Sequence, residues 1–143
     1  MIATHRTLRC HTRGNDDIVD LTEEVQSAVS ATGVRVGQAA LLVHGSTAAL
    51  TTLEYEPGLV NHDIGAALER LAPRDDRYVH EETWHDDNGH SHVRASLIGP
   101  SLSLPIVDGR VPLGTWQQIV VVDSDTRPRE RTIHLSVVGF GRE

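Results

Sequence analysis

The chain has 143 residues, of which 38% are hydrophobic and 23% charged, and its net charge is −7. These values are typical of one globular domain, and we expect residues 1–143 to form it. They exclude a membrane-spanning chain, because no apolar run of about 18 residues occurs, and they disfavour generic nucleic-acid binding, because the chain is acidic.

Cysteine usage and the N-terminus predict a cytoplasmic protein. Cys10 is the only cysteine, which excludes a disulfide framework and fits a reducing compartment. The first residues lack the apolar core of a signal peptide. Nine histidines are an unusually large number for this length, and their positions carry most of the functional information.

The first half of the chain predicts two helices among several strands. In chain order, the predicted elements are a strand at 2–11, a helix at 21–32, strands at 39–43 and 45–53, and a helix at 60–71. Gly33 and Pro73 are suited to end the two helices.

The second half predicts strands after a long polar loop at 73–91. Period-two alternation or β-branched residues indicate strands at 92–97, 116–122 and 132–137. Both predicted helices lie in the N-terminal half and strands dominate the C-terminal half, which predicts an α+β fold. Its sheet is mainly antiparallel and sandwich-like or barrel-like, with two main helices in the N-terminal half.

The strongest local motif is His90-x-His92 at the start of a predicted strand. In a strand, His90, His92, Arg94 and Ser96 would share one face. Two imidazoles at this spacing converge on one metal, and His80 is the nearest third ligand in sequence. Arg94 would then bind a phosphate or carboxylate beside a divalent metal, zinc or magnesium. The alternative is the solvated face of an antiparallel sheet.

Two further groups of polar residues have both a functional and a structural interpretation. Ser46 and Thr47 lie in a small-residue segment that either binds an anion through hydroxyl and N–H groups or packs closely as a strand. Glu54 and Asp63 flank the start of the second predicted helix and either stabilise its dipole or act as a general base or metal ligand.

The C-terminal half offers candidates for ligand recognition. Thr115, Trp116 and Gln117 precede a predicted strand, and Trp116 either stacks on a flat heteroaromatic ring or packs in the core. Arg127 belongs to an arginine-rich loop that is either solvated or grips phosphate.

Three segments together resemble the YjbQ family of small proteins, which is associated with a secondary thiamine-phosphate synthase activity. They are GSTAALTTLE at 45–54, NGHSHVRASLIGPS at 88–101 and DGRVPLGTWQ at 108–117, in matching order and spacing. The resemblance implies an α+β fold, a homotrimer and a site of matching polar residues: Glu54, Asp63, His80, His92, Arg94, Ser96, Thr115, Trp116 and Gln117. Gly45 departs from the histidine that many members carry, and His90 replaces a commonly acidic residue.

Three functions are consistent with these features. The first is a metal-assisted enzyme on phosphorylated heterocycles, and the resemblance implies that it joins a pyrimidine diphosphate to a thiazole phosphate and releases pyrophosphate. The second is a metal-dependent phosphoester hydrolase. The third is a non-catalytic trimer that binds a small ligand.

Overall fold

The computed structural model describes residues 1–141 and contains seven strands and four α-helices in that range. In chain order the elements are β1 Ile2–Thr12, β2 Asp17–Asp20, α1 Thr22–Ser30, β3 Val36–Val43, β4 Ala48–Leu53, a π-helical turn Leu59–Asp63 that continues into α2 Ile64–Leu71, α3 His80–Trp84, α4 Gly89–Ile98, β5 Ser101–Val107, β6 Gln118–Asp123 and β7 Arg129–Phe140. None of these helices is both long enough and apolar enough to cross a membrane.

The strands form two antiparallel sheets. One has the order β1-β7-β3-β5 and the other the order β2-β6-β4. The inward side chains of both sheets share the main core with Val25 and Val29 of α1. The α+β class, the antiparallel sheets and the two N-terminal helices are therefore confirmed.

Strand β6 packs against a different hydrophobic cluster on each of its two faces. Its residues Ile119 to Val122 are almost completely buried, because alternate side chains face opposite layers. Ile119 and Val121 belong to the main core, whereas Val120 and Val122 pack with Leu68 of α2 in a second cluster. Ile98 of α4 joins this second cluster, so β6 supports the helices that surround the candidate site.

The predicted strand at 92–97 is wrong, because these residues belong to α4. The buried residues of α4 include His90, Ser91, Arg94 and Ala95, which is helical spacing. Three of these four are polar, so the hydrophobic pattern of the sequence did not reveal the buried face. Part of the predicted loop at 73–91 is likewise helical, as α3 and the start of α4.

Candidate functional site

Helix α4 directs its two histidines to different sides. Residues two apart on a helix differ by about 200° in direction, whereas in a strand they would share a face. His90 is fully buried, with its ring centroid 6.3 Å from that of Tyr78. His92 instead lies beside His80 of α3, with 4.4 Å between ring centroids. The structure brings His80 and His92 together and directs His90 into the protein interior.

His80, Asp86, Asn88 and His92 form a group that we call the histidine rim. Nε2 of His80 is 3.4 Å from Oδ1 of Asp86. The side-chain nitrogen of Asn88, in the amide orientation that satisfies its neighbours, donates to Asp86 Oδ1 at 2.9 Å and to His80 Nε2 at 3.2 Å. Asn88 thus bridges Asp86 and His80, whose ring lies opposite that of His92.

The electrostatics of the rim favour a neutral imidazole at His92. Burial lowers the pKa of His92, and the neighbouring His80 lowers it further, against the opposite effect of Asp86. A neutral imidazole has a free nitrogen lone pair, which serves as a base or as a metal ligand. His92 is therefore prepared for either role near neutral pH.

The loop between β3 and β4 lies next to the rim. The backbone of Ser46 lies close enough to the His92 ring to act on its pKa, in the direction that raises it. The next residue, Thr47, is buried, donates to Asp125 Oδ2 at 2.9 Å and accepts from Arg131 Nη2 at 2.8 Å. A Cβ at Gly45 would lie 2.8 Å from Nη1 of Arg131. Because Gly45 has no side chain, the guanidinium of Arg131 can lie directly against this loop.

Arg131 and two aspartates form a buried ionic cluster behind that loop. Asp123 accepts Arg131 Nε at 2.6 Å and Nη2 at 2.8 Å, and it also accepts the Thr12 hydroxyl at 2.6 Å. Burial alone would raise the pKa of Asp125, but hydrogen bonds from Thr47 and the backbone of Thr126, together with Arg129, lower it overall. Sequence reasoning missed this cluster, although an aspartate directly after a buried strand was an available signal.

Arg94 faces the same side of α4 as His90. Its guanidinium is buried, and it donates to Asp16 Oδ2 at 2.6 Å, to Ala72 O at 2.8 and 3.0 Å, and to Glu69. Burial and the charge of Arg94 lower the pKa of His90, whose Nδ1 has no hydrogen-bond partner within residues 1–141. Arg94 thus connects parts of the fold, and four of its five N–H donors are already engaged.

The remaining sequence candidates lie on exposed segments: Glu54 after β4, Asp63 in the π-helical turn, Ser96 on α4, Thr115, Trp116 and Gln117 before β6, and Arg127 before β7. Trp116 is 73% exposed, which excludes a core position and leaves its indole free for stacking. Gln117 donates to Thr52 Oγ1 at 3.0 Å, and Asp63 contacts His62 at 2.9 Å. In the described part of the chain, none of these side chains hydrogen-bonds to a side chain of the histidine rim.

The ligand atoms of the rim are of types that bind a divalent metal, but their present positions do not form a metal site. Two imidazoles and a carboxylate are ligands that zinc accepts. Within residues 1–141, however, no three His, Cys, Asp or Glu side chains already converge as metal ligands. A metal at the rim would therefore require these side chains to reorient until three of them converge.

The family model described as UPF0047 protein YjbQ-like matches residues 6–140. A UPF0047 protein of Methanothermobacter thermautotrophicus is 37% identical over 123 residues, which cover 86% of this chain and 83% of that protein. A solved YbjQ-like protein of unknown function from Sulfolobus solfataricus superposes with a TM-score of 0.89 at 28% identity, covering 96% of this chain and 98% of that one. A hypothetical protein from Aeropyrum pernix superposes with a TM-score of 0.87 at 32% identity, covering 96% and 99%. The chain belongs to the YjbQ-like UPF0047 family.

Proposed function

We propose that this protein is an enzyme that acts on small phosphorylated heterocycles, with the histidine rim as its reaction centre. The observation that carries the proposal is the pairing of His80 and His92, 4.4 Å apart between ring centroids, with Asp86 beside them. The resemblance to the YjbQ family suggests thiamine-phosphate formation as the first reaction to test. It joins a pyrimidine diphosphate to a thiazole phosphate and releases pyrophosphate.

The rim residues would hold a divalent metal in this proposal. The imidazole nitrogens of His80 and His92 favour zinc, because magnesium prefers oxygen ligands. When bound there, such an ion supplies positive charge to the departing diphosphate. His90 is not included among the ligands, since its ring is buried on another side of α4.

The exposed candidates would bind the organic part and phosphates of the substrate. Trp116 offers a flat surface for a heteroaromatic ring, flanked by the hydroxyl of Thr115 and the amide of Gln117. Arg127 is exposed and suits a phosphate, and Glu54 and Asp63 are exposed carboxylates that suit proton transfer. Because these groups lie on separate segments, we also propose a homotrimer in which neighbouring subunits complete the site.

Complementation of a thiamine-requiring bacterial strain tests the proposal. We expect the wild type to restore growth and His92→Ala to fail, because the alanine variant lacks the neutral imidazole of the rim. His11→Ala is the matched control, since His11 is an exposed histidine on β1 whose ion-pair partner is Glu130. Thermal unfolding of each variant verifies that it is folded. Equal rescue by wild type and His92→Ala would contradict the proposal.

A phosphoester hydrolase is the second candidate, favoured by the partial exposure of the rim to solvent. For that reaction His80 and His92 would hold the metal, which would make water a stronger nucleophile for hydrolysis of the phosphoester. Chelator-sensitive turnover of simple phosphoesters, without rescue of the thiamine-requiring strain, would favour the hydrolase. A folded protein that is inactive in both assays would favour a non-catalytic ligand-binding role.

A further inference from the structure

A second group of histidines lies on the other sheet, on the outer face of β1, β7 and β3. His5 of β1 pairs with Ser136 of β7, so His134 lies two residues along β7 as a diagonal neighbour on the same face. His134 in turn pairs with Leu42 of β3, and His44 follows two residues later. The three imidazoles therefore form a row across β1, β7 and the residue that follows β3.

The first two histidines of this row have the separation of two ligands of one metal ion. Nε2 of His5 is 3.1 Å from Nδ1 of His134, and their rings are nearly parallel at 22°. Nitrogens bound to one ion at about 2.0–2.1 Å lie about 2.9–3.4 Å apart for bond angles between square and tetrahedral. His44 comes next, with its ring centroid 6.0 Å from that of His134.

We infer that His5 and His134 form a two-nitrogen site for a borderline transition-metal ion, with His44 as a nearby third imidazole. The class of ion follows from the ligands, since imidazole suits Cu²⁺, Ni²⁺ and Zn²⁺ rather than Mg²⁺ or Ca²⁺. The site is separate from the histidine rim, and it does not depend on the proposed enzymatic function.

Binding requires only a local rearrangement of the pair. In the structure one ring N–H of the pair donates to the other ring nitrogen. When an ion replaces that proton, the donor ring takes its other neutral tautomer, so its proton moves to the opposite ring nitrogen through solvent. Each ring also rotates to direct its lone pair at the ion. His5 is exposed, and water can complete the coordination.

The test is a titration of tag-free protein with Cu²⁺, which binds nitrogen ligands most strongly among these ions. The background variant is His80→Asn/His92→Asn, which removes both imidazoles of the rim and changes no residue of the sheet. We expect this variant to retain one Cu²⁺ site whose electron paramagnetic resonance spectrum shows at least two nitrogen ligands. Adding His5→Asn or His134→Asn should weaken binding at least tenfold, and adding His44→Asn should weaken it less.

His11→Asn is the control, because His11 lies on the same strand as His5 with Glu130 beside it. It should leave the affinity of the background variant unchanged. The inference is overturned if the background variant binds no Cu²⁺, if His5→Asn and His134→Asn bind as tightly as their background, or if the spectrum shows a single nitrogen. Thermal unfolding verifies that every variant is folded, and a wild-type titration must show the same site beside any site at the rim.

Discussion

Asp123 is the residue on which the buried polar interior depends most directly. Its side chain is fully buried and accepts two hydrogen bonds from Arg131, whose own side chain is 8% exposed. Removing one partner of such a buried ion pair destabilises the fold, because the remaining charge is neither solvated nor neutralised. The carboxylate at position 123 therefore serves mainly to make the burial of Arg131 possible.

We expect Asp123→Asn to lower the free energy of unfolding by about 3–5 kcal/mol, because it removes the nearer counter-charge of the buried Arg131 guanidinium and leaves only Asp125, 3.7 Å away. Urea denaturation followed by circular dichroism measures this change. The matched control is Asp108→Asn, because Asp108 also pairs with an arginine, Arg35 at 3.0 Å, but its side chain is 85% exposed. That exposed pair should contribute about 0–1 kcal/mol. Similar losses in both variants would contradict the structural role of Asp123.

At the scale of whole elements, Arg94 links helix α4 to the turn before β2 and to α2. This one guanidinium contacts Asp16 in the turn before β2, Glu69 of α2 and the carbonyl of Ala72 after α2. The position of α4 determines where His92 lies, so Arg94 acts on the histidine rim through the helix rather than through contact with a ligand.

Arg94→Met should therefore destabilise the fold by about 3–5 kcal/mol, because the carboxylate of Asp16, only 9% exposed, would lose its ion-pair partner. Urea denaturation tests this expectation. Arg70→Met on α2 is the control, since Arg70 is exposed and should change the free energy of unfolding by less than about 0.5 kcal/mol. A fully stable but inactive Arg94→Met protein would instead indicate that Arg94 contacts substrate.

At the scale of the whole molecule, the outer face of the four-stranded sheet carries an exposed apolar patch. Val36 of β3 pairs with both Phe140 of β7 and Val107 of β5, and Val138 lies on the same face. These four side chains are between 47% and 62% exposed. A contiguous exposed apolar patch is typical of an interface, so we propose that this end of the face packs in the homotrimer.

Light scattering coupled to size-exclusion chromatography should give three times the chain mass for the wild type. Phe140→Asp should shift the protein towards the monomer, because a buried unpaired charge opposes association. Leu71→Asp adds the same charge at an apolar residue of α2 that is 68% exposed, and it should leave the assembly unchanged. A monomeric wild type, or equal dissociation of both variants, would rule out this interface.

Sequence reasoning recovered the elements whose buried faces are apolar. The helical pattern of Val25, Ala28 and Val29 and the buried run of β6 are set by hydrophobic periodicity, and both occur where they were expected. The family motifs at 45–54, 88–101 and 108–117 were also sufficient to indicate the YjbQ relationship that the family model confirms.

The length, the acidic charge, the α+β class and the family membership were thus determined by the sequence alone. Only the tertiary structure decided that residues 89–98 form a helix, that His92 pairs with His80 while His90 is buried, and that Arg94 is held by Asp16. The physical reason is that α4 buries polar side chains. Their burial depends on partners such as Asp16 and Ala72, which lie 78 and 22 residues away along the chain.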